Sequence, residues 1–84
     1  MDRTELSQRL RERLVLRAER LGLRADEISG SLDLVRGGLL DSLGFVDLIT
    51  ELEQVAGREV DLASAFDTPG ATTFDGVLDL FYRP

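Results

Sequence analysis

Apolar residues return every third or fourth position through the first turns of the chain, at Leu6, Leu10, Leu14, Ala18 and Leu21. That spacing follows the helical period and predicts an amphipathic helix over 3–21. Asp2 with Glu5 three residues later makes a capping-box pattern, Glu5 and Arg9 form a favourable i,i+4 pair, and Gly22 is placed to end the helix. From 23 to 40, "LRADEISGSLDLVRGGLL", no period is sustained. The scattered Leu23, Ile28, Leu32, Leu34, Leu39 and Leu40 predict an ordered loop lying over a core, with room for one short helical turn. A connection this long is uncommon in a compact domain and is usually functional or flexible.

Periodicity returns at 42–56. Leu43, Val46, Ile49, Leu52 and Ala56 form one predicted apolar stripe, widened by Leu48 and Val55, with Asp47, Thr50, Glu51 and Gln54 largely opposite and Gly57 as the terminator. "REVDLASAF" then predicts an extended start and a brief helix capped by Asp61. "DTPG" predicts a turn, in which Pro69 suits the second position and Gly70 relieves the backbone. Thr73 is the expected cap of a last helix whose Phe74, Val77, Leu78 and Phe81 recur at i, i+3, i+4 and i+7. Gly76 should weaken that helix by about 1 kcal/mol relative to alanine. The pattern predicts an all-α fold, a small bundle of three main helices and one short one, with a long loop between the first two and no strand.

Composition narrows the function. Eighty-four residues make one domain with no room for a second core, and 43% hydrophobic with 31% charged residues belongs to a folded chain. No apolar run approaches the ~20 residues of a membrane helix, and the N-terminus lacks a signal-peptide core, so a cytoplasmic protein is expected, without membrane contact. The start at Met1 and the lack of linker tails favour a free-standing protein as the expectation, and a monomer is expected as well. Seven arginines and four acids in 1–24 give +3, whereas three arginines and twelve acids in 25–84 give −9. The dominant negative field disfavours nucleic acid and favours basic partner surfaces. With no cysteine or histidine, thiolate metal sites, the commonest metal ligand and the usual general base are all missing.

The chemistry therefore turns on "GGLLDSLGFVDLITELE", residues 37–53. Asp41 or Ser42 could be an ordinary N-cap. The same geometry could serve chemistry, because a helix start carries unpaired N–H groups and partial positive charge that stabilise a phosphate. A serine there could carry a phosphate ester. Catalysis by Ser42 itself is disfavoured, with no histidine for a triad and no lysine for a Ser–Lys pair.

The segment "GGLLDSLGFVDLITELEQVAGREV" resembles the attachment region of acyl carrier and peptidyl carrier proteins. An Asp-Ser-Leu after a glycine-containing loop is followed there by a valine, an acid, aliphatics and a Leu-Glu pair before a glycine. Val46, Asp47, Leu48, Ile49, Leu52, Glu53 and Gly57 match those positions here. "TTFDGVLDLF" is similar to the family's last helix, and "AFDTPGATT" to the Phe-x-x-Pro segment of modular carrier domains. The resemblance implies a single carrier domain over 1–84 with a covalent 4′-phosphopantetheine on Ser42, flanked by Asp41 and Leu43, and no catalytic or metal site of its own. It implies docking of partners on Asp47, Thr50, Glu51 and Glu53. Those partners would be a phosphopantetheinyl transferase that holds Mg²⁺, a loading enzyme (adenylating enzyme or acyltransferase), and downstream synthase or tailoring enzymes. "GLLDSLG", with paired glycines before Leu39-Leu40, is closer to stand-alone aminoacyl carriers and to discrete natural-product carriers than to common fatty-acid carriers. A polyketide or nonribosomal-peptide pathway is the expectation; a D-alanyl or fatty-acid carrier is the alternative within the family, and an acidic helical interaction domain the alternative outside it. Leu43 is expected to pack partly into the bundle while presenting a hydrophobic edge to partners, and Phe45 either to line the core or to be an exposed contact.

Overall fold

The structure, a computed structural model, describes residues 1–82, with the backbone alone at Ala25 and Ser64. Helix α1 spans Arg3–Arg20, a 3₁₀ turn Ala25–Glu27, α2 Ser42–Ala56, α3 Leu62–Asp67 and α4 Phe74–Phe81. No strand forms among the described residues; one isolated antiparallel bridge joins Asp33 to Thr73. The all-α reading therefore matches the fold, and the long loop contains the single short turn anticipated for it.

Local signals account for the helix ends. The Asp2 carboxylate accepts the Glu5 N–H at 2.8 Å and starts α1. Leu6, Leu10, Leu14 and Ala18 are buried, but Leu21 caps the helix and is exposed, so the apolar stripe stops one turn earlier than its spacing predicts. Gly22 and Gly57 adopt left-handed φ values of 80° and 68° and close α1 and α2, a conformation that costs a residue without Cβ little. Asp61 accepts the Ala63 N–H at 3.0 Å before α3. Thr73 Oγ1 accepts the Gly76 N–H at 3.0 Å and caps α4.

α1 packs against α2, α4 and the 3₁₀ turn. The core joins its leucines to Phe45, Ile49 and Leu52 of α2, Ala65 of α3, and Phe74, Val77 and Phe81 of α4. Ile28, Leu34, Leu39 and Leu40 from the long loop are buried with them, as expected of a loop that covers a core. The loop is also stitched to the start of α4: Phe74 and Asp75 donate their N–H groups to the carbonyls of Leu32 and Gly30, at 3.0 and 2.9 Å, while Leu34 donates to Thr72 at 2.8 Å. The first N–H groups of α4 are thus satisfied by protein. At the start of α2 the N–H groups of Ser42 and Leu43 have no partner among the described residues.

The face that α2 buries differs from the predicted stripe. Phe45, Leu48, Ile49 and Leu52 point inward, whereas Leu43 is 71% exposed, Val46 is only partly buried and Val55 is exposed. Both choices satisfy helical spacing, and the competing stripe that includes Phe45 buries an aromatic ring. Leu43 accordingly does not pack into the bundle, and Phe45 lines the core with no measurable exposure.

Candidate functional site

The start of α2 separates the two roles that Asp41 and Ser42 could have shared. Asp41 is the N-cap: its Oδ1 accepts the Gly44 N–H at 2.6 Å and its carbonyl accepts the Phe45 N–H at 2.9 Å. Ser42 is the first helical residue and is exposed. Neither its hydroxyl nor the N–H groups of Ser42 and Leu43 find a partner among the described residues. An exposed hydroxyl thus stands beside two free N–H donors at the positive end of a fifteen-residue helix, an arrangement that accommodates an anion esterified to that oxygen.

Ser42 opens onto a groove of about 380 Å³ lined by Asp33, Val35 and Arg36 of the long loop and by Phe66–Gly70 and Thr72. Asp33 organises it. One carboxylate oxygen accepts the N–H groups of Val35 and Arg36 at 3.0 and 2.8 Å, and the other accepts the Thr72 hydroxyl at 2.9 Å. Partial burial by itself would raise the Asp33 pKa; the bonds from Arg36 N–H, the Thr72 hydroxyl and Val35 N–H, with the Arg36 charge, outweigh it and hold the pKa below its ordinary 3.8. Sequence reading missed this residue, although an aspartate two positions before a turn N–H is the signature of an Asx-turn.

Because the folded-state pKa is depressed, the Asp33 contribution is fully present above 3.8 and disappears as pH falls from 3.8 through the lower folded value. Asp33→Asn keeps an acceptor and loses the charge. It should cost about 1 kcal/mol at neutral pH, since charged acceptors make stronger bonds than neutral ones. Thermal unfolding followed from about pH 7 to about pH 3 should show wild type and variant converging only at the acid end. A gap that is constant with pH would show that the carboxylate charge is not what latches the loop.

The four expected docking residues do not share one face. Asp47 and Thr50 lie on the exposed stripe with Leu43; the Thr50 hydroxyl bonds back to the Val46 carbonyl at 3.0 Å. Glu51 turns toward α1, where its carboxylate meets Arg13 at 3.4 Å. A second groove of about 170 Å³ there places Arg13 and Arg17 opposite Asp47 and Glu51. Glu53 lies on the other flank and accepts the Val60 N–H at 2.9 Å, holding the α2–α3 connection. The acidic character read along the sequence is therefore partly answered by arginines brought alongside in three dimensions.

Comparison with known proteins adds kinship to this geometry. The acyl carrier protein of Saccharopolyspora erythraea is 38% identical over 61 residues, which are 73% of this chain and 61% of that protein. The match supports a relationship to the acyl carrier protein family. The matched region spans about three-fifths of the relative's length. No family model matches the chain, and no solved structure matches it. The helical bundle described above agrees with a carrier-type fold: α2 bears Asp41, Ser42 and Leu43 at its exposed tip, and the long loop ends directly before it. No helix among the described residues is long and apolar enough to cross a membrane.

Proposed function

We propose that this protein is a carrier that holds thioester-bound acyl or aminoacyl intermediates on a 4′-phosphopantetheine attached to Ser42, and that it catalyses no reaction itself. One observation carries the reading: the exposed Ser42 hydroxyl beside the free N–H groups of Ser42 and Leu43, with the capping duty taken by Asp41. The residues fit the group, since a phosphodiester on Ser42 Oγ would stand at the positive end of α2 without displacing any bond made by the chain. When bound, the arm supplies a thiol, which a chain with no cysteine lacks. Ser42 Oγ would be the acceptor when a phosphopantetheinyl transferase moves the arm from coenzyme A: an Oγ–P bond forms, the pyrophosphate P–O bond of coenzyme A breaks, adenosine 3′,5′-bisphosphate leaves, and the hydroxyl proton goes to the transferase or solvent. Asp41 keeps the helix tip formed, and Leu43, 71% exposed, offers partners an apolar contact next to the reacting oxygen. The "GLLDSLG" pattern supports a discrete carrier of the polyketide or nonribosomal-peptide type, with adenylating or acyl-transferring enzymes as loading partners and synthase or tailoring enzymes downstream.

The test is to incubate the purified protein with coenzyme A, Mg²⁺ and a broad-specificity phosphopantetheinyl transferase and to measure its intact mass. A gain of one phosphopantetheine per chain is expected. An unchanged mass, with a known carrier modified in parallel, would refute the reading.

Docking is assigned chiefly to Asp47 and Thr50 on the exposed stripe, with Glu51 shared with Arg13 and Glu53 contributing less because it is held by Val60. Reversing one peripheral charge mainly alters the association rate. Asp47→Arg should therefore lower kcat/KM for arm transfer by roughly tenfold or less at low salt, with a smaller loss at high salt. Equal rates for the two proteins at low salt would remove Asp47 from the docking surface.

A further inference from the structure

Arg36 is the one basic residue lining the groove onto which Ser42 opens. Its backbone is fixed in a hydrogen-bonded turn. The Arg36 N–H donates to Asp33 Oδ1 at 2.8 Å, Gly37 N–H to the Asp33 carbonyl at 2.8 Å, Gly38 N–H to the Val35 carbonyl at 3.1 Å, and Leu40 N–H to the Leu34 carbonyl at 2.8 Å. Residues 34–40 are thereby folded back on themselves directly before α2, which explains how a residue ahead of that turn comes to line the same groove as Ser42. The Arg36 guanidinium, by contrast, is uncommitted: it makes no hydrogen bond or ion pair among the described residues. Asp33 is already occupied, since its carboxylate accepts the N–H groups of Val35 and Arg36 and the Thr72 hydroxyl. Asp67, also in the lining, is exposed and forms no ion pair with Arg36. A full positive charge without a partner thus shares the groove with the Ser42 hydroxyl.

Resting on the carrier reading above, we infer that Arg36 anchors the phosphate of the arm: its guanidinium pairs with the phosphodiester on Ser42 Oγ, alongside the N–H groups of Ser42 and Leu43. A guanidinium presents paired N–H donors that match two oxygens of one phosphate, and such charge-assisted bonds are about twice as strong as neutral ones. The helix tip by itself offers only partial charge. Arg36 adds a full one from a different segment of the chain, so that attachment of the arm ties the long loop to α2. The pairing involves the phosphate alone and is independent of the group the thiol bears.

The experiment compares wild type, Arg36→Gln and Arg36→Glu, each before and after complete loading from coenzyme A by a broad-specificity phosphopantetheinyl transferase, with intact mass confirming the arm. Thermal unfolding of each pair gives the rise in Tm that attachment brings. The variants should fold, because the Arg36 side chain makes no bond in the unmodified protein and any residue but proline keeps the N–H bond to Asp33. The rise should be smaller in Arg36→Gln than in the wild type by about 3 °C, as expected of a roughly threefold coupling in the unfolding constant. It should be smaller again in Arg36→Glu, where the charge is reversed. The difference between wild type and Arg36→Gln should shrink between about 0.05 and about 0.5 M NaCl, since exposed ion pairs are screened. The ³¹P resonance of the loaded protein should also differ between these two proteins. Equal rises in all three, a difference that ignores salt, or a ³¹P resonance indifferent to Arg36→Gln would each overturn the inference. A wild type that gains no arm would instead overturn the carrier reading, and this inference with it, so the mass measurement tells the two failures apart.

Discussion

Ser42→Ala is expected to abolish the phosphopantetheine mass gain completely while leaving the fold intact. The first half follows from the carrier reading and the second from the geometry of the helix tip. The capping bond to Gly44 comes from Asp41, not from Ser42, and the Ser42 side chain makes no bond among the described residues. Alanine is the best helix former and stands here at an exposed first helical position. Stability should therefore change by no more than about 0.5 kcal/mol, the usual range for surface substitutions. Asp41→Ala supplies the converse. Loss of the cap should cost about 1 kcal/mol and lower Tm by about 4–8 °C in a domain of this size, yet the acceptor oxygen remains and transfer should proceed, more slowly. Intact mass and thermal unfolding on the same two variants check the pair. If Ser42→Ala still gained the arm, attachment would lie elsewhere; if it unfolded the protein, the division of labour between Asp41 and Ser42 would be wrong.

The second large effect concerns Gly76, where helix propensity and packing point in opposite directions. Propensity alone says that Gly76→Ala should stabilise α4 by about 1 kcal/mol. In the fold, a Cβ at that position would fall on the Gly70 carbonyl oxygen and within 2.9 Å of Ala71 Cα. That turn cannot simply move aside. The Gly70 carbonyl already accepts the Thr73 N–H at 3.1 Å and the Thr73 hydroxyl at 2.7 Å, and Ala71 N–H is bonded to the Thr68 carbonyl at 3.1 Å. Relieving the clash means disturbing the same Thr73 that caps α4. A loss of about 2–3 kcal/mol is expected, at the upper end of ordinary overpacking. The corresponding fall in Tm is about 10 °C or more. A rise in Tm for Gly76→Ala would mean that the turn yields and that propensity prevails.

Much of this architecture could be read in one dimension. The bounds of α1 and α2, their glycine terminators, the caps Asp2, Asp61 and Thr73 and the buried face of α4 were all predicted, because each depends on contacts within a turn or two of the chain. Ser42 was legible for the same reason: its place after Asp41 and before a helical run is a local fact. The rotation of α2 about its axis was not. Leu43 and Val46 compete with Phe45 and Leu48 for the inward face at equally good spacing, and what decides is the neighbouring surface, Phe66 of α3 included, that receives Phe45.

The docking acids and Asp33 show the same boundary. Asp47, Thr50, Glu51 and Glu53 read as one run along the sequence, but helical geometry puts Glu53 on a different flank from Asp47 and Glu51, and only the neighbouring elements determine that Glu51 meets Arg13 and Glu53 meets Val60. Asp33 and Thr72 are thirty-nine positions apart, so no window of periodicity could have joined them. Hydrogen bonds and burial within a few residues set where helices begin, end and expose a hydroxyl. Contacts between segments distant in the chain set which face is hidden, which charges are answered, where the groove beside Ser42 lies, and why a glycine inside α4 is required.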